Sequence, residues 1–236
     1  MPAASRNAVA ASPSRPLLLG HRGARNDAPE NTLAAFDLAL EHGCDGFEFD
    51  VLRTADGKAI ICHDAKLAGV EVARANYAGI LQRGRLTREQ APLLEDVLER
   101  YGDSAFLDIE IKVAGLEDQV LEALRRYPPR RGFVVSSFLA EILKDLRARD
   151  ARVPLGLICD TLKELGRWPR LPIEYIIPHH KLLTYKLIEE VHAARRKVLV
   201  WTVNSKREML RLAKASVEGI ISDDTRRLVR ALGGNA

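Results

Sequence analysis

Short apolar runs alternate with longer amphipathic runs along almost the whole chain. Runs with the length of β-strands occur at residues 17–20, 46–52, 105–111, 133–136, 154–159, 175–178, 198–203 and 219–222. Apolar residues with helical spacing follow them at residues 31–42, 93–101, 116–126, 139–149, 161–165, 184–196, 206–214 and 224–232. This alternation is typical of βα units repeated around a parallel sheet.

The number of units favours one fold of the α/β class. Eight predicted strands and eight predicted helices in about 220 residues indicate a (β/α)8 TIM barrel with parallel strands, and a doubly wound sheet is the alternative. An extra strand at residues 58–62 follows the second strand through a turn whose Asp56-Gly57 pair is a strong hairpin signal. This short inserted segment would bring His63 to one rim of the barrel.

The body of the chain shows neither a repeat of fixed short period nor a linker rich in Ser or Pro. We therefore expect a single domain over residues 17–236. Residues 1–16 are rich in Ala, Ser and Pro and lack the apolar segment of a secretory signal, so we predict a flexible N-terminal tail.

Composition excludes several classes of protein. The net charge of +4 is too small and too scattered to predict a nucleic-acid partner. Cys44, Cys62 and Cys159 are odd in number and form no C-x-x-C pair, so neither a disulfide framework nor a zinc site is supported and a cytoplasmic location fits best. No run approaches the roughly 18 to 20 apolar residues of a bilayer span, so we predict no integral membrane association. We expect a monomer or a homodimer.

Polar residues collect where the first strands of the predicted barrel end. Charged residues at the carboxyl ends of buried strands need an explanation that apolar packing cannot supply. Side chains two positions apart on a strand share a face. Glu48 and Asp50 on the second strand can therefore both face the barrel interior, and so can Glu110 and Lys112 on the third. The residues concerned are His21, Arg22, Glu48, Asp50, His63, Glu110 and Lys112.

Three carboxylates on adjacent strands, Glu48, Asp50 and Glu110, would repel one another strongly unless a cation lay among them. Oxygen ligands without cysteine favour one divalent cation, Mg²⁺ or Ca²⁺. The alternative is a salt-bridge network in which Glu48 or Glu110 pairs with Arg22 or Lys112.

Two histidines complete this predicted site. His21 and His63 would stand beside the cation as base and acid, since an unperturbed histidine pKa of roughly 6.5 suits proton transfer near neutrality. Arg22 and Lys112 offer donors for an anionic oxygen, and phosphate is the best match.

The motifs HRGARNDAPENTLAAF, FEFDVLRTADGKAIICHD, LDIEIK, SSF and WTVN occur in this order. Together they resemble the glycerophosphodiester phosphodiesterase family, and HHKLLT followed by VLVWTVN is similar to its small bacterial cytosolic members. The resemblance implies a TIM barrel that hydrolyses deacylated phospholipids, such as glycerophosphocholine and glycerophosphoethanolamine, to glycerol 3-phosphate and an alcohol.

The resemblance also implies roles for residues at matching positions. It makes Glu48, Asp50 and Glu110 the metal ligands, His21 and His63 the general acid and base, and Arg22 and Lys112 the phosphate contacts. Phe138 and Trp201 resemble pocket-wall residues near the glycerol or the leaving group, with Asn204 nearby. Glu30 and Asn31 are expected to shape their loop, with Asn31 capping the helix that follows.

One departure from the family and three rival functions remain. Residues 65–91 form a shorter insertion than family members usually carry, which predicts a small lid. One alternative is a lysophospholipase D-type phosphodiesterase that acts on lysophospholipids. Another is a Schiff-base aldolase that uses Lys112 as its nucleophile. The third is a noncatalytic phosphate-ligand binding protein on the same barrel.

Overall fold

The computed structural model describes residues 15–233, so most of the predicted N-terminal tail lies outside the described residues. The strands are β1 (Leu17–His21), β2 (Gly46–Arg53), β3 (Ala59–Ile61), β4 (Lys66–Leu67), β5 (Val70–Glu71), β6 (Phe106–Ile111), β7 (Phe133–Ser137), β8 (Leu155–Cys159), β9 (Tyr175–Pro178), β10 (Lys197–Val200) and β11 (Gly219–Ser222). The helices are α1 (Leu33–Glu41), α2 (Tyr77–Gly84), α3 (Leu94–Tyr101), α4 (Glu117–Arg126), α5 (Ala140–Arg149), α6 (Leu162–Leu165), α7 (Tyr185–Ala193), α8 (Lys206–Lys214) and α9 (Thr225–Leu232).

Eight of these strands close into a parallel barrel. Their order is β1, β11, β10, β9, β8, β7, β6 and β2, and a further pairing between β1 and β2 completes the ring. The predicted (β/α)8 TIM barrel is thus confirmed, and the doubly wound alternative is wrong because such a sheet stays open. Since all barrel strands are parallel, their carboxyl ends meet at one rim. None of the helices within residues 15–233 has the length and apolar character needed to cross a bilayer.

The predicted extra strand is present as β3, which pairs antiparallel with the end of β2 and places Val51 opposite Ile61. It is an additional strand next to β2 and not one of the eight strands of the ring. The chain then continues into residues 65–91, where the structure has the hairpin β4–β5 and helix α2. The sequence pattern did not predict these elements, because two-residue strands and a single short helix carry too little periodicity.

The N-cap of the first helix lies one residue later than expected. The hydroxyl of Thr32 accepts a hydrogen bond from the backbone N–H of Ala35 at 3.2 Å, so Thr32 is the cap and the predicted capping role of Asn31 is wrong. Asn31 has a left-handed backbone, with φ of 59°, and its side chain is buried. Its amide instead donates to Asp50 Oδ2 at 2.8 Å.

Aromatic packing outside the barrel holds β2 in place. The rings of Phe36 and Phe47 stack with centroids 4.2 Å apart, and Tyr101 meets Phe47 edge-on at 5.1 Å. Because strand side chains alternate, Phe47 and Phe49 face the helices while Glu48 and Asp50 face the barrel interior. The same packing that buries the phenylalanines therefore directs the carboxylates inward.

Gly46→Ala tests how closely β2 packs against β6 at a position two residues before Glu48. A Cβ at Gly46 would lie 1.8 Å from the carbonyl oxygen of Phe106, a backbone atom of β6. We expect the Gly46→Ala substitution to lower the free energy of unfolding by about 2 kcal/mol or more. Calorimetry should show a fall in Tm of roughly 5 °C or more.

Gly166→Ala is the matched control. Gly166 has a helical φ of −62°, and a Cβ there would lie 3.4 Å from the nearest atom, the Leu162 carbonyl oxygen. We expect its Tm to stay near that of the wild type. Equal Tm values for the two variants would contradict the tight seating of β2.

Candidate active site

The carboxyl-end rim of the barrel contains one cavity that collects most of the predicted site residues. Its lining includes His21, Arg22, Glu48, His63, Glu110, Lys112, Phe138 and Trp201, together with Asp108. Asp50 and Asn204 are not part of that lining. Asp50 is fully buried and contacts Lys112, whereas Asn204 contacts Asp223, the residue that follows β11.

Three buried carboxylates lie close enough to share one cation. Glu48, Asp50 and Glu110 each offer an oxygen, and these three oxygens lie within 4.8 Å of one another. The pairing of β2 with β6 produces this proximity because it places Asp50 opposite Glu110. Glu48 Oε1 is buried and has no hydrogen-bond partner among the described residues.

The ionisation of these carboxylates reflects their crowding. Burial and then repulsion by Asp50 and Glu110 raise the pKa of Glu48 well above its usual range. Burial, followed by the charge of Asp50, raises the pKa of Glu110 to about 7. A buried oxygen without a partner and two carboxylates that resist ionisation fit a site for a hard divalent cation.

A salt-bridge network is present as well, and it is centred on Asp50. Lys112 Nζ donates to Asp50 at 3.0 Å and to Glu110 at 3.2 Å, and Arg22 Nε lies 3.2 Å from Asp50. Although burial opposes the change, these two cations lower the pKa of Asp50. Glu48 forms a salt bridge with neither a lysine nor an arginine among residues 15–233, so the network leaves this carboxyl group without a cationic partner.

The two histidines reach the cavity from different supports. His21 ends β1 and is buried, with its Nδ1 2.6 Å from Asp223 Oδ1. Burial is the main cause that lowers the pKa of His21, although Asp223 opposes it. His63 follows β3, and its Nδ1 lies 2.7 Å from the exposed carboxylate of Asp64. Both imidazoles line the same cavity.

Two acidic residues near the site, Asp108 and Asp223, are not among those predicted from the sequence. Asp108 is buried, accepts a hydrogen bond from the Ser136 hydroxyl at 2.5 Å, and has a pKa that burial raises to about 7. It precedes Glu110 by two positions, so the rule that places Glu110 inside would have placed Asp108 there too. Asp223 follows the last predicted strand directly, which marks it as a rim residue by position.

Aromatic side chains form the opposite wall. Phe138 follows β7 and Trp201 follows β10, and their rings meet nearly perpendicularly with centroids 5.6 Å apart. Trp201 Nε1 donates to the carbonyl oxygen of Ile177 at 2.9 Å, which fixes the indole. The cavity is therefore charged on one side and apolar on the other.

A closed barrel with an acidic, histidine-containing cavity at its carboxyl-end rim defines a TIM-barrel enzyme. The profile of the glycerophosphoryl diester phosphodiesterase family matches residues 21–227. A glycerophosphodiester phosphodiesterase of Caldanaerobacter subterraneus is 32% identical over 233 residues, which cover 90% of this chain and 96% of that protein. The chain belongs to the glycerophosphoryl diester phosphodiesterase family, as the motifs indicated.

Solved structures agree with this assignment. The glycerophosphodiester phosphodiesterase of Thermotoga maritima is 25% identical, with a TM-score of 0.78 and coverage of 91% of this chain and 97% of that one. A phosphodiesterase of Oleispira antarctica, solved in complex with the product sn-glycerol-3-phosphate, is also 25% identical. Its TM-score is 0.77, with coverage of 92% and 96%.

The raised carboxylate pKa values predict that divalent cations bind more tightly as pH rises. Below pH 7 a cation must displace a proton from Glu110, whose pKa is about 7, and from Glu48. We expect the affinity for Mg²⁺ or Ca²⁺, measured by calorimetry, to rise about tenfold or more between pH 6 and pH 8. An affinity that is constant over this range would contradict binding at these carboxylates.

Proposed function

We propose that the protein hydrolyses glycerophosphodiesters, such as glycerophosphocholine and glycerophosphoethanolamine, to glycerol 3-phosphate and an alcohol. The observation that carries this proposal is a single cavity lined by two imidazoles, two cationic side chains and two of the three carboxylates that lie close enough to share a cation. Membership of the family supports the reaction class. The product complex of the Oleispira antarctica phosphodiesterase supports a site for the phosphoglycerol half of the substrate.

Glu48, Asp50 and Glu110 would hold one divalent cation, Mg²⁺ or Ca²⁺, because all three offer oxygen ligands. When bound, such a cation neutralises negative charge on a phosphate and makes its phosphorus more electrophilic. The partnerless oxygen of Glu48 is the feature of the chain that best matches this role.

Arg22 and Lys112 bind the phosphate oxygens in this proposal. Both side chains line the cavity and both remain charged. Although burial opposes it, Asp50 and Glu110 raise the pKa of Lys112. A lysine with a raised pKa is a poor nucleophile, so this observation disfavours the Schiff-base aldolase.

His21 and His63 transfer the protons. One imidazole removes a proton from the attacking hydroxyl, and the other protonates the alcohol oxygen that departs. The two rings enter the cavity from β1 and from the segment after β3, so they can reach different oxygens of one phosphodiester.

Phe138 and Trp201 supply the apolar wall against which the glycerol or the departing alcohol packs. Their perpendicular rings offer a face and an edge to that part of the substrate. We further propose that residues 17–236 act as one catalytic domain, since the site draws its residues from the first strand to the last.

His21→Ala and His63→Ala should each lower kcat for glycerophosphocholine by about 10² to 10⁴, because each removes one proton-transfer group. Thermal unfolding should show that both variants still fold. His42→Ala is the control, since His42 contacts Thr225 on the outer helices rather than the cavity, and its kcat should match the wild type. A near-normal rate for either cavity variant would remove that histidine from the mechanism.

Turnover of glycerophosphocholine with and without EDTA tests the proposed function as a whole. We expect EDTA to abolish turnover and Mg²⁺ or Ca²⁺ to restore it. Glu110→Gln keeps the shape of the side chain but removes a charge, so its activity should return only at higher cation concentration. Full activity in EDTA would contradict a metal-dependent reaction.

A panel of ligands separates the rival functions. Faster hydrolysis of lysophosphatidylcholine than of glycerophosphocholine would favour the lysophospholipase D-type alternative. Binding of both without any hydrolysis would favour the noncatalytic binding protein.

A further inference from the structure

The side chain of His21 is more buried than that of His63, and so is the carboxylate that it contacts. Its side chain is 11% exposed, and its Nδ1 lies 2.6 Å from Asp223 Oδ1. The partner of His63 is Asp64, whose side chain is 76% exposed. A sheltered carboxylate that contacts one nitrogen of an imidazole selects which ring nitrogen carries the proton.

Asp223 is itself held by a neighbouring loop. Asn204 Nδ2 donates to Asp223 Oδ2 at 2.6 Å, and Asn204 Oδ1 accepts the backbone N–H of Asp223 at 3.0 Å. The same amide oxygen accepts the Ser222 hydroxyl at 3.0 Å. The first of these bonds occupies Oδ2 of Asp223 and leaves Oδ1 facing His21, while the other two hold the Asn204 amide in place.

The Asp223 carboxylate accepts the proton of Nδ1 rather than donating one. Although burial opposes it, the hydrogen bonds from His21 and Asn204 lower the pKa of Asp223, so this side chain is ionised near neutral pH. Arg25 Nη1 also approaches Nδ1, at 3.4 Å, but its guanidinium is paired with Glu30 at 2.8 Å and lies 3.7 Å from Asp223 Oδ1. The much shorter contact with Asp223 determines the proton on Nδ1.

We propose that Asp223 is a positioning residue that holds neutral His21 with its proton on Nδ1 and the lone pair of Nε2 facing the cavity. This inference rests on the proposed phosphodiesterase function and makes His21 the proton acceptor of the first step. Asn204 then acts through Asp223 rather than by touching the substrate.

The proton follows a defined route. As the attacking oxygen, of water or of a substrate hydroxyl, bonds to phosphorus, its proton passes to Nε2 of His21. The Asp223 carboxylate stabilises the imidazolium that forms. His63 supplies the proton that the departing alcohol oxygen gains as its bond to phosphorus breaks.

The tautomer of His21 tests the proposal without an activity assay. We expect NMR of protein labelled with ¹⁵N-histidine to show the proton of neutral His21 on Nδ1, with the signals assigned by their loss in His21→Ala. Asp223→Asn can place an amide donor against Nδ1, so the proton should move to Nε2. A wild-type spectrum with the proton on Nε2 would overturn the proposal.

Kinetics supply the second arm of the test. For Asp223→Asn we expect kcat to fall by about 10² to 10⁴ while KM changes less than about threefold. Asp223→Glu keeps an acceptor and should recover at least tenfold of that loss. Asp160→Asn is the matched control, because Asp160 is likewise the first residue after a rim strand but is exposed, and its kcat should not change.

The outcomes separate this inference from the proposed function. An Asp223→Asn variant that folds, as judged by thermal unfolding, and keeps more than half of the wild-type kcat overturns the positioning role. A rise in KM with an unchanged kcat also overturns the positioning role. If Asp223→Asn does not fold, the wild-type spectrum still decides the tautomer. If the wild type hydrolyses no glycerophosphodiester, the proposed function fails and the spectrum again decides the tautomer alone.

Discussion

Repulsion among buried carboxylates is the constraint around which the barrel mouth is organised. Glu48, Asp50, Asp108 and Glu110 project from two paired strands into one low-dielectric space. Two unit charges separated by the 4.8 Å limit of the three-carboxylate cluster repel by about 3 kcal/mol at an effective dielectric constant of about 20. The fold tolerates this cost because Lys112 and Arg22 neutralise Asp50, and because its neighbours resist ionisation.

This balance ties distant parts of the chain to one another. Arg22 and Asn31 lie in the loop after β1, yet both contact Asp50 on β2, and Lys112 joins Asp50 to the end of β6. The left-handed backbone at Arg22, with φ of 55°, lets its N–H donate to Glu48 while its guanidinium faces Asp50. The loop therefore has two roles: it connects β1 to α1, and it supplies groups that interact with the buried carboxylates of the site.

Much of the barrel could be predicted from the sequence because each βα unit has its own local signal. Strand periodicity placed Glu48 and Glu110 on inward faces, and the Asp56-Gly57 turn predicted β3. Contacts that depend on tertiary structure could not be read this way. Asn is a common N-cap residue, but the left-handed backbone of Asn31 directs its side-chain amide to Asp50. Thr32 caps the helix instead.

Asp223 is a residue near the site whose contact could not be predicted from the sequence. Its position after the last strand was visible in the sequence, but nothing in the local pattern indicates which side chain it would face. Its partner His21 lies 202 positions away, and the two meet only because β1 pairs with β11 when the barrel closes. The contact is therefore a consequence of ring closure.

The two histidines differ in how independently their surroundings can vary. His21 is part of the ring, whereas His63 follows β3, which is not one of the eight barrel strands. Residues 65–91 come next, and their apolar side chains, Ile80 among them, pack against Leu52 of β2 and Ile60 of β3. Changes in the length or composition of that segment would alter the surroundings of His63 without altering the pairing of the eight barrel strands. The position of His21 therefore depends on closure of the barrel, whereas the surroundings of His63 depend on a segment that takes no part in that closure.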